Sequence, residues 1–225
     1  MAILNSNEVR RLYDEQAGAY DASLALFRLS GLRRWRASLI NALELSPGDT
    51  VVDLCCGTGE NLLQLARAVG SGGRVVGVDL SAAMLERARE KVAQADFCHV
   101  ELIEADVATF DLPPRTRSAL STFGLEMVPE YERVIARTAH RLPVGGRLGL
   151  IGLKHPQGWP DWMINVGVRL TRRFGVSRDY ERFRPWEAAR QHMAVIRLER
   201  RLLGAGYLCV AEKRASACEV ARDRA

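Results

Sequence analysis

Short apolar runs alternate along the chain with longer stretches whose apolar residues recur every three or four positions. Thr50 to Cys55 (TVVDLC), Arg74 to Asp79 (RVVGVD), Val100 to Ala105 (VELIEA) and Arg147 to Leu153 (RLGLIGL) are short and rich in Val, Leu and Ile, the pattern of strands buried on both faces. Leu120 to Phe123 is a fainter run of the same kind. Between them, Asn61 to Val69, Ala82 to Ala95 and Tyr131 to Leu142 carry helical periodicity. Ser81 is placed to cap the second of these helices. Gly70-Ser71-Gly72-Gly73 and Pro143-Val144-Gly145-Gly146 turn the chain back. Residues 7–44 are also predicted helical, with Val9, Leu12, Tyr13, Leu32, Trp35, Leu39, Ile40 and Leu43 on the apolar stripe. Ser46-Pro47-Gly48-Asp49 closes that region as a turn.

Strands that alternate with helices imply a parallel sheet covered on both faces, so the expected fold is α/β and doubly wound. The whole chain, 1–225, is expected to be one domain: a helical cap over 1–45, a core over 46–153, an insertion over 154–200 and closing strands in 201–225. The insertion breaks the alternation and is rich in Arg and Trp; it is read as helical or irregular and as a lid over an acceptor site. The closing strands are placed at 206–214 and 215–223, as an antiparallel hairpin.

Composition narrows the class. At 225 residues, 48% hydrophobic and 26% charged, the chain has the make-up of an ordinary globular protein. No stretch approaches the ~20 apolar residues of a membrane span, and the first residues lack a signal-peptide layout, so a cytoplasmic protein is expected. The net charge of +5 suits an anionic ligand, a phospholipid surface or nucleic acid. Cys55, Cys56, Cys98, Cys209 and Cys218 are odd in number and form no C-x-x-C. Metal and disulfide spacings are therefore absent, and buried small apolar residues are the expected role.

The stretch VVDLCCGTGENL, residues 51–62, carries the chemistry. A strand running into a glycine turn and then a helix exposes backbone amides to a ligand. Asp79 stands at the end of the next strand, about twenty residues on, where an acid accepts hydrogen bonds from both hydroxyls of a ribose. The pair points to a nucleoside cofactor. A dinucleotide fold wants G-x-G-x-x-G, but Leu62 holds the third glycine position and Glu60 would repel phosphate at the helix start. With Asp53 nearby, the acidic turn suits a cationic, phosphate-free cofactor, S-adenosylmethionine, better than NAD.

V-V-D-L-C-C-G-T-G followed by V-V-G-V-D-L-S-A-A-M-L resembles the class I S-adenosylmethionine-dependent methyltransferases, over roughly 50–153. Within that superfamily the chain is most similar to the ubiquinone/menaquinone C-methyltransferase group. Ala19-Tyr20-Asp21, Arg33-Arg34-Trp35-Arg36, Phe123-Gly124-Leu125 and Val144-Gly145-Gly146-Arg147 carry that likeness. Two features depart from it: Cys55 replaces the first glycine of the usual turn, and the segment after 153 does not match. The resemblance implies a Rossmann-like seven-stranded sheet. It implies that Asp53, Cys55, Gly57 and Gly59 line the methionine end of the cofactor, and that Asp79 takes the ribose. Leu80 and Met84 would pack at the adenine, with Asp106 and Val107 at its edge. Ser121, Thr122 and Phe123 would lie where sulfonium and acceptor meet, and Tyr20 would cover the cofactor.

Methyl transfer is an in-line displacement that depends chiefly on alignment, with a base needed only for an acidic acceptor. His155, His192 and Asp161 are the candidate bases. The expected partner is a small-molecule or lipid substrate, quinone-like or phospholipid-like. In MINVGVRLTRRFGV, residues 163–176, an apolar stripe lies beside Arg169, Arg172 and Arg173; such a helix either rests peripherally on the inner face of an anionic membrane or packs on the sheet. Self-association is left open. Three other readings stand beside this one: a non-catalytic S-adenosylmethionine-binding protein, an NAD-type oxidoreductase and an RNA methyltransferase. S-T-F-G at 121–124, in place of an N/D-P-P-Y/F-like motif, argues against nucleic acid.

Overall fold

The structure is a computed structural model that describes residues 8, 10, 11, 13, 14, 31–156, 158–171 and 183–215. In chain order it contains α1 (Leu32–Asn41), β1 (Thr50–Leu54), α2 (Leu62–Val69), β2 (Arg74–Asp79), α3 (Ala82–Gln94), β3 (Val100–Glu104) and β4 (Thr116–Thr122). These are followed by α4 (Tyr131–Arg141), β5 (Arg147–Leu153), α5 (Asp161–Thr171), α6 (Pro185–His192), β6 (Ala194–Arg201) and β7 (Gly206–Glu212). Glu8, Arg10, Arg11, Tyr13 and Asp14 are helical as well.

The strands form one seven-stranded sheet in the order β3-β2-β1-β4-β5-β7-β6. The first five run parallel, and β7 is antiparallel to both β5 and β6. Successive residues of each strand feed opposite faces. Val51, Val75, Leu120, Ile151 and Leu208 pack with Trp35, Leu39, Leu43, Leu62, Leu65 and Leu85 on one side. Their neighbours Val52, Val76, Ala119, Leu150 and Cys209 pack with Val134, Ile135, Ala139, Ala188 and Ala189 on the other. This is the doubly wound arrangement expected from the alternation of strands and helices. Ser81 caps α3 as anticipated, its hydroxyl accepting from the Met84 amide at 3.1 Å.

Two elements differ from the sequence expectation. β4 begins at Thr116 and not at Leu120, because its polar side chains are satisfied inside the sheet. The Thr116 hydroxyl donates to the Pro113 carbonyl at 2.7 Å, and that of Ser118 accepts from the Arg147 amide at 3.3 Å. The hairpin strands are β6 and β7, so residues 194–200, read as insertion, form most of the outer strand. Residues 216–223 of the expected second strand lie outside the described residues. β6 (AVIRLERR) alternates apolar and charged side chains and is half-exposed at the sheet edge, which hides it from a search for continuous apolar runs.

Candidate functional site

The sheet order reverses at β1, whose neighbours are β2 on one side and β4 on the other. Chains leave such a switch point in opposite directions, and a crevice opens outside the carboxyl ends of the strands. A cleft of about 880 Å³, its open mouth included, lies there. Cys55, Cys56 and Gly57 line it from the end of β1, Asp79, Leu80 and Ser81 from β2, Asp106 and Val107 after β3, and Thr122, Phe123 and Gly124 from β4.

The glycine turn splits into two functions. Gly57 has φ +54° and its Cβ direction is open, which leaves its backbone approachable from the cleft. Gly59 has φ +80°, and a Cβ there would come within 2.9 Å of Leu62 Cδ1 and 3.1 Å of Ala88 Cβ. Gly59 therefore lets α2 and α3 close on the turn and does not face the cleft. Gly124 serves a similar close approach, since a Cβ at that position would overlap that of Cys55. Cys55 itself takes the left-handed conformation, φ 59°, which a residue with a side chain rarely adopts.

Asp79 is fixed from both sides. Its Oδ2 accepts from the Gly57 amide at 2.8 Å and its Oδ1 from the Ser81 amide at 3.0 Å. Burial raises its pKa, and the backbone hydrogen bonds pull it back. Met84 lines the cleft from the first turn of α3 while being almost fully buried.

Asp53 and Ser121 are brought beneath the cleft and not onto its wall. Asp53 is fully buried, and Asn61 Nδ2 donates to its two oxygens at 3.2 and 3.0 Å and to Thr122 Oγ1 at 3.0 Å. Arg36 Nε reaches the same Thr122 hydroxyl at 3.4 Å. Burial pushes the Asp53 pKa up to about 7, against the Asn61 hydrogen bond and the nearby Arg36 charge. Ser121 is buried, and its hydroxyl has no partner among the described residues. Tyr20 lies outside the described residues. Tyr13 and Arg10 line the cleft from the N-terminal segment, which is docked by Arg10 to Glu104 at 2.5 Å and by Asp14 accepting from the Ser81 hydroxyl at 2.5 Å.

None of the three candidate bases lines this cleft. His155 follows β5 at a second hollow, His192 ends α6 exposed, and Asp161 opens α5 exposed. Sequence reasoning missed Asn61, Arg36, Lys91 and Glu126. Glu60, read as an acid that repels phosphate at the helix start, is held by Lys91 Nζ at 2.9 Å, with Arg36 at 3.9 Å. Glu126 sits in the 3₁₀ turn Leu125–Met127, beside cleft residue Met127. Its Oε1 accepts from the Leu153 amide at 2.7 Å, its Oε2 is buried without a partner among the described residues, and burial pushes its pKa up to about 7. The spacing of Glu126 from the glycine turn carries no signal; only the fold brings it there. The Cys55 and Cys56 thiols are raised well above their usual value by burial first and by neighbouring acids second, so neither is a thiolate at neutral pH. Among the described residues no cluster of three or more His, Cys, Asp or Glu is arranged to hold a metal ion.

The open Gly57 backbone, the fixed strand-end carboxylate and the cleft's size fit a nucleoside cofactor with an amino-acid tail. The solved structures most useful for comparison share the fold at low identity. Geranyl diphosphate C-methyltransferase from Streptomyces coelicolor A3(2) superposes with a TM-score of 0.63 at 18% identity, over 80% of this chain and 77% of that one. The putative methyltransferase of Haloferax volcanii, solved with the Trm112 activator, gives a TM-score of 0.70 at 20% identity, over 92% and 98%. In sequence, 2-phytyl-1,4-naphtoquinone methyltransferase of Trichormus variabilis is 33% identical over 191 residues, 80% of this chain and 82% of that protein. Demethylmenaquinone methyltransferase of Listeria monocytogenes is 30% identical over 162 residues, 71% and 68%. Residues 1–161 match the ubiE/COQ5 methyltransferase family, so the chain belongs to that family and is an S-adenosylmethionine-dependent methyltransferase.

Proposed function

We propose that the protein transfers a methyl group from S-adenosylmethionine to a ring carbon of a reduced, quinone-type lipid. The supporting observation is the cleft itself, which is polar at the β1–β2 end and apolar at the β4 end, where Phe123, Met127, Val128 and Pro129 line it. The names of the sequence relatives, which act on phytyl-naphthoquinone and demethylmenaquinone, favour that acceptor class. Among the described residues no helix is long and apolar enough to cross a membrane. In this proposal the acceptor is met by peripheral contact with a membrane surface.

When bound, S-adenosylmethionine supplies an electrophilic methyl group on a sulfonium. Asp79 receives the ribose hydroxyls. Leu80, Met84, Asp106 and Val107 hold the adenine, and Cys55 and Gly57 take the methionine end. Asp53 and Gly59 act from behind, Asp53 by orienting Asn61 and Thr122, and Gly59 by closing α2 and α3 on the turn. Phe123, Met127 and Val128 exclude water from the acceptor side. A ring carbon becomes nucleophilic when a neighbouring hydroxyl gives up its proton, and once the methyl is on that carbon its ring hydrogen leaves as a proton to the oxygen, which restores the aromatic hydroquinone. Glu126 does not itself line the cleft, but it adjoins cleft residue Met127 and burial raises its pKa to about 7, and on those grounds it is the acid proposed to accept the hydroxyl proton.

The reading is tested by incubating the protein with methyl-labelled S-adenosylmethionine and a fractionated lysate. Label is expected in the extracted lipid. Label confined to the polar, protein or RNA fraction would refute the lipid acceptor, and cofactor binding with no transfer would point to a binding protein.

A further inference from the structure

Of six large apolar side chains exposed among the described residues, Leu202 and Leu203 lie in the β6–β7 turn, Leu198 and Ile196 lie further back along β6, and Trp162 is at the start of α5, shortly after the Trp159 that bonds this turn. Leu203 is 87% exposed. Both leucines take left-handed backbone, φ 53° and 52°, where a branched side chain is strained. Asn or Gly would suit this turn better, and water gives no reason to display leucine there. Strain of this kind marks a site shaped for something else. The turn is fixed from below: Trp159 Nε1 donates to the Leu203 carbonyl at 3.1 Å, and the Lys154 amide donates to the Ala205 carbonyl at 2.9 Å.

A basic hollow adjoins the leucines. Lys154, Arg184 and Arg200 line it together with Glu187, Glu199 and Trp186. The Lys154 ammonium lies 5.8 Å from the Trp186 ring centroid. Arg184 pairs with Glu187 at 3.2 Å, and Glu199 is taken by Arg197 and Arg201. Lys154 and Arg200 make no ion pair among the described residues. Burial first, and the Arg200 and Arg184 charges second, lower the Lys154 pKa.

Exposed leucines and a tryptophan beside unpaired cations match the interface of an anionic bilayer, where apolar tips enter the acyl boundary and cations meet phosphates. We infer that the β6–β7 turn, with Trp162, inserts into an anionic phospholipid surface, and that the hollow formed by Lys154, Arg184 and Arg200 receives a lipid phosphate. The direction of the sheet agrees. Gly206 pairs with Leu153 at the carboxyl end of β5, so the turn lies at the same end of the sheet as the cleft. Only three strand spacings, about 14 Å, separate β6 from β4. A lipid leaving the bilayer at this corner meets the cleft's apolar end. This docking rests on the lipid-acceptor reading for its purpose, but its geometry is independent of the cleft.

The full-length protein should sediment with phosphatidylcholine vesicles containing phosphatidylglycerol and not with phosphatidylcholine alone. Leu202→Asn and Leu203→Asn suit the left-handed backbone, so they should leave the fold and cofactor affinity intact. Each should weaken vesicle binding roughly tenfold. Lys154→Gln and Arg200→Gln should each weaken it about fivefold. Unchanged binding by the leucine variants would overturn the inference, as would native protein that ignores anionic vesicles. Saturable binding of inorganic phosphate without vesicle binding would also overturn it, in favour of a small-anion site. Vesicle binding together with label in a water-soluble acceptor would instead refute the lipid acceptor and leave the docking surface standing.

Discussion

Asp79 is the residue proposed to receive the ribose, and its carboxyl is fixed by the Gly57 and Ser81 amides. Asp79→Ala should weaken S-adenosylmethionine binding by about tenfold to a hundredfold, the loss of one or two charge-assisted hydrogen bonds. Calorimetry on protein shown to be folded checks this, and unchanged affinity would remove Asp79 from the ribose. Glu126 makes a different prediction. If Oε2 accepts the acceptor's proton, kcat/KM should rise with pH up to a limb near 7, where burial has placed the carboxyl. Glu126→Gln should lose that limb along with most of the turnover, while cofactor affinity is retained. A profile of unchanged shape in the variant would exclude it. Asp53 bears on stability. Its folded pKa is raised to about 7, from an ordinary value near 4, so between those values the native state holds a proton that the unfolded chain has released. Stability from this group is therefore fully present below about pH 4 and is lost as pH rises toward 7. Asp53→Asn should flatten that fall by about 1–3 kcal/mol, read from denaturant midpoints at pH 5 and pH 8. A slope equal to that of the native protein would contradict it.

At the scale of elements, the glycine turn shows what spacing can and cannot reveal. The pattern D-L-C-C-G-T-G announces a strand, a tight turn and a helix. It does not say that Gly57 opens to the cleft while Gly59 is covered by Leu62 and Ala88, because that cover is made by α2 and α3 together, and Ala88 lies more than twenty residues away. Both glycines have positive φ, so alanine strains either. Gly59→Ala should cost about 2–4 kcal/mol and Gly57→Ala about 1 kcal/mol, the excess being overpacking between α2 and α3. Thermal unfolding of the two variants measures the gap, and equal losses would mean that α3 yields. β1, β2 and β5 were legible because buried parallel strands are written as continuous apolar runs. β4 was only half legible, because Thr116 and Ser118 are buried with hydroxyls satisfied by the Pro113 carbonyl and the Arg147 amide. β6 was missed because an edge strand alternates, and its arginines read as part of the preceding basic segment.

At the scale of the molecule, the doubly wound order was readable because it follows from strand–helix alternation and the handedness of crossovers. The switch point at β1 then fixed where a ligand must lie, which is why Cys55, Gly57, Asp79, Leu80, Met84, Asp106, Val107 and Thr122 could be placed together from motifs alone. What joins distant segments was not readable. The Asp53–Asn61–Thr122–Arg36 chain draws on β1, the turn before α2, β4 and α1, and no local pattern records it. The same holds for the corner where Trp159, Lys154 and the β6–β7 turn meet. The proposed ring-carbon acceptor at the cleft's apolar end has a single decisive test. Methyl-labelled S-adenosylmethionine should be mixed with the purified protein and a reduced, prenylated naphthoquinone lacking the ring methyl, and label counted in the extracted lipid. Label should enter the quinone with the native protein and fall at least tenfold with Asp79→Ala at subsaturating cofactor. No label in the quinone, from protein that binds S-adenosylmethionine, would contradict the assignment of the acceptor.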